Sequence, residues 1–242
     1  MKPRVLLAVL GTLCASAVHA QSAGSNIIGV GWVRVMPQDS SKPLTIVAPG
    51  ALAGPVPNTG SSLESADTLG LTYTRFLTDH IAAELVLGVP PRFRLNGAQA
   101  LAPVGELGSA RQWSPGVVFK YFFGDADSAF RPFVGAGLSY IWYSDVRLTD
   151  GFQRAVSETV TRNANPDLRT EAKVDSKWAP MLNVGAAYQI DRHWGALLSV
   201  SYLPLKTRAH LRTYGTPVGT VESQSDLKIN PIVGMLAVTY RF

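Results

Sequence analysis

The sequence predicts an all-β protein, an eight-stranded antiparallel transmembrane β-barrel with long extracellular loops and short periplasmic turns. Three observations carry that prediction. Apolar residues alternate with period 2 in runs bounded by Gly, Pro, Asn and Asp, as strands with one apolar face require. The connections between runs alternate long and short, as in a barrel whose turns face one compartment and whose loops face the other. Aromatic residues end the apolar faces where an interfacial girdle lies: Tyr73, Tyr121, Phe123, Trp142, Trp178, Tyr188, Trp194 and Tyr202. A soluble sandwich gives no reason for the alternating connections.

The chain begins with Lys2 and Arg4, then the apolar run Val5 to Leu13, then Val18 and Ala20 at the positions a signal peptidase reads. Residues 1–20 are therefore expected to be a secretory signal peptide cleaved near Ala20, leaving residues 21–242 as the barrel. The apolar run is too short to span a membrane as a helix. Cys14 follows Leu13, where a lipoprotein signal needs a small residue, so no lipid anchor is expected. Cys14 is the chain's one cysteine, so the mature protein should have no disulfide and no thiolate site. Loss of Lys2 and Arg4 lowers the formal net charge from +5 to +3, too mild to indicate a nucleic-acid partner.

The first strand runs from Asn26 to Met36. Its facing stays open, because the phase that exposes Ile28, Val30 and Trp32 also exposes Arg34. An arginine facing lipid costs about 2–4 kcal/mol at the midplane and far less near an interface. Pro37 to Ala66, rich in Pro, Gly and Ser, reads as a long loop. Thr68 to Phe76 is the second strand, and 77–80 a tight turn. Ile81 to Val89 is the third strand, with Ile81, Ala83, Leu85, Leu87 and Val89 outward. Pro90 and Pro91 cannot donate ladder hydrogen bonds, so pairing should be disturbed there.

A loop over about 96–110 leads to strand four, Trp113 to Phe123. Strand five, Arg131 to Tyr143, sets Val134, Ala136, Leu138, Tyr140 and Trp142 outward. A long polar loop covers 144–176. Strand six is Lys177 to Ile190, and strand seven starts at Trp194. After Pro204 the polar residues change phase, which predicts a bulge or an exit from the membrane. Residues 212–225 read as a loop leading to the terminal strand, Ile229 to Phe242. That strand exposes Leu236, Val238, Tyr240 and Phe242, and an alternating strand that ends on an aromatic resembles the signal read by the barrel assembly machinery. Tyr240 and Phe242 are the expected assembly signal. No segment shows a sustained 3.6 period.

The opposite faces line the lumen. Val86, Val118, Phe133, Ile141, Met181, Leu197, Val233 and Met235 make it largely apolar, with Asn183 and Ser199 among them and Glu84 and Lys120 as its clear charges. Eight strands enclose little more than side chains or one small ligand, so general diffusion of sugars or ions is not expected. Glu84 and Lys120 could be cross-strand neighbours at the periplasmic end. A paired charge that completes the barrel floor is preferred over a polar gate. His80, His193 and His210 lack ligand spacing, so no metal site is expected. Ser199 and Ser201 lack a convincing His and acid beside them, so no catalytic residues and no cofactor are expected.

Several segments together resemble the OmpW family. They are Gly116-Val-Val-Phe-Lys-Tyr-Phe-Phe-Gly-Asp125, Arg131-Pro-Phe-Val-Gly-Ala-Gly-Leu-Ser-Tyr140 and Leu69-Gly-Leu-Thr-Tyr-Thr74. With them go the Thr78-Asp-His-Ile81 turn, the Glu84-Leu segment running into Pro91-Arg-Phe-Arg94, and the closing Asn230-Pro-Ile with Tyr240-Arg-Phe242. The resemblance implies a small outer-membrane barrel with a narrow apolar lumen that passes small hydrophobic molecules. The Pro- and Ala-rich first loop departs from the family's pattern. Two other functions stay open at this point: a structural or adhesive barrel acting through its loops, and a lipid-modifying enzyme. The expected partners are outer-membrane lipid, the assembly machinery and small hydrophobic solutes, with no nucleic acid.

Overall fold

The computed structural model describes residues 22–38, 40–161 and 168–242; the expected signal peptide lies outside them. Eight strands form the barrel: β1 (Asn26–Met36), β2 (Ala66–Phe76), β3 (Ile81–Gly88), β4 (Gly116–Phe122), β5 (Phe130–Leu148), β6 (Lys177–Gln189), β7 (Trp194–Tyr202) and β8 (Ile232–Arg241). Each pairs antiparallel with its neighbours, and β1 closes the ring on β8 from Ile27↔Arg241 to Met36↔Ile232. Closure leaves the sheet without a free edge strand, the condition for crossing hydrocarbon.

Period-2 sequence becomes a two-faced wall. Leu69, Phe119, Leu138, Leu182, Leu198 and Val238 are exposed on the outer face. Phe133, Val118, Leu197 and Ala237 are buried inside. Two aromatic bands bound the outer face. Trp32, Tyr140, Trp142, Trp178 and Tyr202 lie toward the ends of strands that carry the long connections. Tyr73, Tyr121, Tyr188, Trp194 and Tyr240 lie toward the short turns.

The facing of β1 is settled by its top. Val30 and Trp32 are 52% and 50% exposed, whereas Ile27 and Val35 are buried. Arg34 therefore faces outward, two residues from the strand end, where its guanidinium lies 3.1 Å from Asp67 of β2. The Trp32 indole N–H also donates to Asp67, at 3.0 Å. Placing the arginine at the rim and pairing it there avoids most of the midplane cost.

The four long connections, expected as loops, fold instead into an extracellular extension. Arg92–Gln99 and Glu106–Trp113 form a hairpin that pairs onto the top of β5. Lys206–Thr216 and Gly219–Lys228 form a second hairpin, flanked by Thr170–Val174 and Thr45–Ala48. The phase change after Pro204 is thus an exit: β7 ends at Tyr202 and a new strand starts at Lys206, with Leu203 and Leu205 turned into the core. Strand four is likewise divided, because Ser114-Pro115 separates Trp113 from Gly116.

The long polar loop expected over 144–176 is also corrected, since part of it is helical. Helix α1, Asp150–Thr161, buries Phe152, Val156 and Val160 at i, i+4 and i+8 against Leu107, Leu211 and Val221. Thr149 caps it, its hydroxyl accepting from the Phe152 N–H at 3.3 Å. One apolar residue per turn over twelve residues is too short a stripe to stand out in the sequence.

Candidate functional site

The lower lumen is solid. The rings of Phe76, Phe122 and Phe133 pack in series, with centroids 4.9 and 5.0 Å apart. Ala82, Ala187, Leu197 and Ala237 fill around them. Gly185 leaves room for this stack, because a Cβ there would lie 2.6 Å from the Phe133 ring. The Arg131 guanidinium is buried beside Phe76 and Phe122 and donates to the Asp79 carbonyl at 2.6 Å, tying the floor to a periplasmic turn.

Above the aromatic stack lies a buried ion pair. The Lys120 ammonium is 2.6 Å from a Glu84 carboxylate oxygen, and the Thr74 hydroxyl donates to the other oxygen at 2.8 Å. The ammonium also sits 4.3 Å from the centroid of the Phe133 ring. Two charges are therefore held out of water by mutual pairing and a hydroxyl, the arrangement that makes such burial tolerable.

Resting on this floor is a cavity of about 440 Å³ in the upper lumen. Of the lumen residues expected from the sequence, Glu84, Val86, Val118, Met181, Asn183, Ser199, Val233 and Met235 line it. The structure does not bring the others to it. Phe133 and Leu197 lie in the floor packing, Lys120 lies behind Glu84, and Ile141 packs with Leu203 and Leu205 near the extension. Facing inward puts a side chain in the lumen, but its height along the strand decides whether it meets space or other side chains.

A second cavity of about 140 Å³ lies in the extension, lined by apolar side chains such as Phe93, Leu95, Leu107, Tyr143, Phe152 and Leu227. The two share Val35, Gln112 and Pro231 as lining residues, so they adjoin end to end.

The lumen cavity also reaches the outer face of the wall. Its lining includes Leu69, Leu87, Val89 and Trp113, all of them exposed lipid-side residues. The β3–β4 ladder explains this. It runs from Ile81↔Tyr121 to Val86↔Gly116 and stops, and pairing resumes only at Arg92↔Arg111. Pro90, Pro91 and Pro115 have no N–H to continue it. The Pro115 carbonyl turns away and accepts from Tyr140 N–H at 3.0 Å and from the Ser139 hydroxyl at 3.1 Å. The wall is thereby parted between 87–90 and 113–115, and it closes above where the Gln112 N–H donates to the Pro91 carbonyl at 3.0 Å. Sequence reading found the disturbance at Pro90-Pro91 but missed Trp113, Ser114 and Pro115 opposite, where Pro115 is the matching signal. It missed Val33 and Val35 because the facing of β1 was open.

The sequence model of the OmpW family matches residues 22–242. Outer membrane protein W of Vibrio cholerae is 33% identical over 239 residues, covering 98% of this chain and 97% of its own. The crystal structure of the outer membrane protein OprG from Pseudomonas aeruginosa shares the fold with a TM-score of 0.77 at 24% identity, covering 93% of this chain and 99% of that one. A further relative, the dibenzothiophene metabolism operon protein PahQ of Pseudomonas aeruginosa, is 25% identical over 185 residues, 76% of each chain.

Proposed function

Since the chain belongs to the OmpW family and is an outer-membrane β-barrel, we propose that it passes small hydrophobic molecules passively, taking them in through the extension and releasing them sideways through the wall. One observation supports this above all others: the lumen cavity is largely apolar, closed below and lined in part by lipid-facing residues. Downward passage would have to break the buried Glu84–Lys120 pair, at a cost of several kcal/mol, and then displace three packed rings. Sideways passage takes an apolar solute from an apolar cavity into hydrocarbon, with little change in solvation. The adjoining cavity in the extension offers an apolar approach from outside. The name of PahQ ties that relative to metabolism of a fused aromatic sulfur compound, a solute chemistry that this lining suits.

The test is flux through the purified barrel in liposomes, comparing an apolar aromatic solute with a polar one of equal size. The apolar solute should pass faster. Met235→Asp places a charge on the cavity wall and should lower that flux in a folded barrel. Ser114→Trp, at the parted wall, should lower it as well. Leu236→Asp faces lipid instead and should impair insertion. Equal flux of both solutes, or unchanged flux in folded Met235→Asp protein, overturns the reading.

A further inference from the structure

Immediately above the parted wall, four arginines stand on one outward face. Trp113 and Trp142 stack there with centroids 5.7 Å apart and planes 1° from parallel. They mark the upper edge of the lipid-facing surface. The next outward positions carry charge instead. Arg111 is two residues before Trp113 and pairs with Ser144, two residues beyond Trp142. Arg92 lies opposite Arg111, while Arg94 and Arg147 both lie opposite Ser109 from the two neighbouring strands.

Three of these arginines converge on one acid. Asp145 accepts from Arg92 and, at 2.8 Å, from the Arg147 Nε; the Arg111 Nε lies 3.7 Å away. Arg92 also donates to the Ser109 hydroxyl at 3.1 Å. The register of β5 against its neighbour slips between Ser144 and Arg147, and Asp145 takes a left-handed φ of 51°. That bulge turns Asp145 onto the arginine face, as bulges re-aim side chains elsewhere. Arg94 has Glu106 at 3.9 Å. Glu64 stands beside Arg94, its backbone N–H donating to the Arg94 carbonyl at 3.1 Å and its carboxylate accepting from Asn96 at 2.7 Å. Four guanidiniums thus meet three carboxylates, which leaves the patch with a net positive charge. Around the second extracellular hairpin the arginines are held separately rather than gathered on one acid: Glu222 and Glu171 hold one each, and Asp226 holds Arg208 with Lys42.

We propose that this patch binds the phosphate groups of a phosphorylated lipid of the outer leaflet, with the acyl chains lying on the wall below. The net positive charge and the clustered guanidiniums suit a phosphorylated head group. Arginine forks are pre-organised for bidentate phosphate oxygens, and Asp145 holds three of them in place before the lipid arrives. The height agrees, since two residues of strand raise Arg111 roughly 7 Å above Trp113, into the head-group layer. An amphiphile is favoured over a soluble anion because the patch continues downward into Trp113, Val117 and Phe119, an exposed apolar strip. This inference is independent of what passes through the lumen.

Binding of a bisphosphorylated lipid A to the purified barrel in neutral detergent, followed by native mass spectrometry, tests it. Wild-type protein should bind this lipid about tenfold or more tightly than its dephosphorylated form. The Arg92→Gln, Arg111→Gln, Arg147→Gln variant should lose about tenfold in affinity, while Arg169→Gln, Arg208→Gln, Arg212→Gln, with the same charge removed elsewhere in the extension, should stay within about twofold. Heat-modifiable electrophoretic mobility reports folding of each. Should the first variant not fold, Arg111→Gln alone leaves the Arg92 and Arg147 ties to Asp145 intact and should still weaken binding about threefold. Three results overturn the proposal: equal binding of the dephosphorylated lipid, equal loss in the control variant, or full binding by folded Arg111→Gln protein. Displacement of the lipid by an equal concentration of inorganic pyrophosphate also overturns it, since the site would then be one for soluble phosphate.

Discussion

Glu84 and Lys120 form their 2.6 Å ion pair on a diagonal. Across the β3–β4 ladder Glu84 faces Val118 and Lys120 faces Ala82, so each charged side chain reaches one step along the strand to meet the other. The pair is buried, and Glu84 lines the base of the lumen cavity with Lys120 behind it. Removing one partner strands the other charge in a medium that cannot solvate it. Lys120→Met should therefore cost about 3–5 kcal/mol in urea unfolding from lipid vesicles. Glu84→Gln combined with Lys120→Met should recover most of that loss, because no unpaired charge remains. A double variant as unstable as the single one would show that shape at this level matters more than charge.

Asp145 sets a pH dependence for the arginine patch. Hydrogen bonds from Arg92 and Arg147 hold its carboxyl below the ordinary aspartate value, outweighing the opposing effect of desolvation. A carboxyl depressed in the folded state stabilises that state above its unfolded value, about 3.9, and the contribution disappears as pH falls through the lower folded value. The coupled circular-dichroism signal of stacked Trp113 and Trp142 should stay constant from neutral pH to about pH 4 and weaken only below it. Asp145→Asn should lack that acid transition. A wild-type transition near neutral pH would contradict this account.

The even strand number places both ends of the chain, 22–25 and Phe242, at the end of the barrel that carries the short turns. A cysteine at exposed Val218, in the tip of the second extracellular hairpin, should react with an impermeant maleimide on whole cells. A cysteine at Asp125, in the turn between β4 and β5, should react only after the outer membrane is permeabilised. The reverse pattern would invert the orientation of the barrel.

Phe242 is 61% exposed, and its backbone N–H donates to the Asn26 carbonyl at 3.1 Å, so it sits on the outer face at the β1–β8 closure. Deleting it should lower the yield of folded, heat-modifiable barrel in the outer membrane several-fold at native expression, while refolding of purified protein into detergent changes little. That split would separate recognition by the assembly machinery from intrinsic stability, and equal effects in both assays would remove the distinction.

What was legible in the sequence is what lipid forces on it. Leu236, Val238 and Tyr240 alternate with Met235, Ala237 and Thr239 because one face meets hydrocarbon and the other does not, and the same contrast marks all eight barrel strands. The extension was not legible for the same reason. Gly219–Lys228 faces water on one side, so its outer positions are polar, and Val221 and Ser223 are the residues it buries. Without lipid the apolar outer face vanishes and the segment reads as loop. Helix α1 shows too few turns for its period to emerge.

The sequence by itself determined which side chains of β2 to β8 point inward, the expected ends of the apolar faces and, through Pro90-Pro91, a disturbed ladder. Only the tertiary structure decided how high each inward side chain stands, so that Met235 meets a cavity while Leu197 is packed into the floor. It also decided that Pro115 lies on the strand facing Pro90 and Pro91, three residues lower, so that all three interrupt one ladder, because strand register is a relation between segments distant in sequence. Asp145 gathers Arg92, Arg111 and Arg147 for the same reason. The facing of a residue is local, set by the pleat. Its neighbours across the sheet are fixed only when the ring closes.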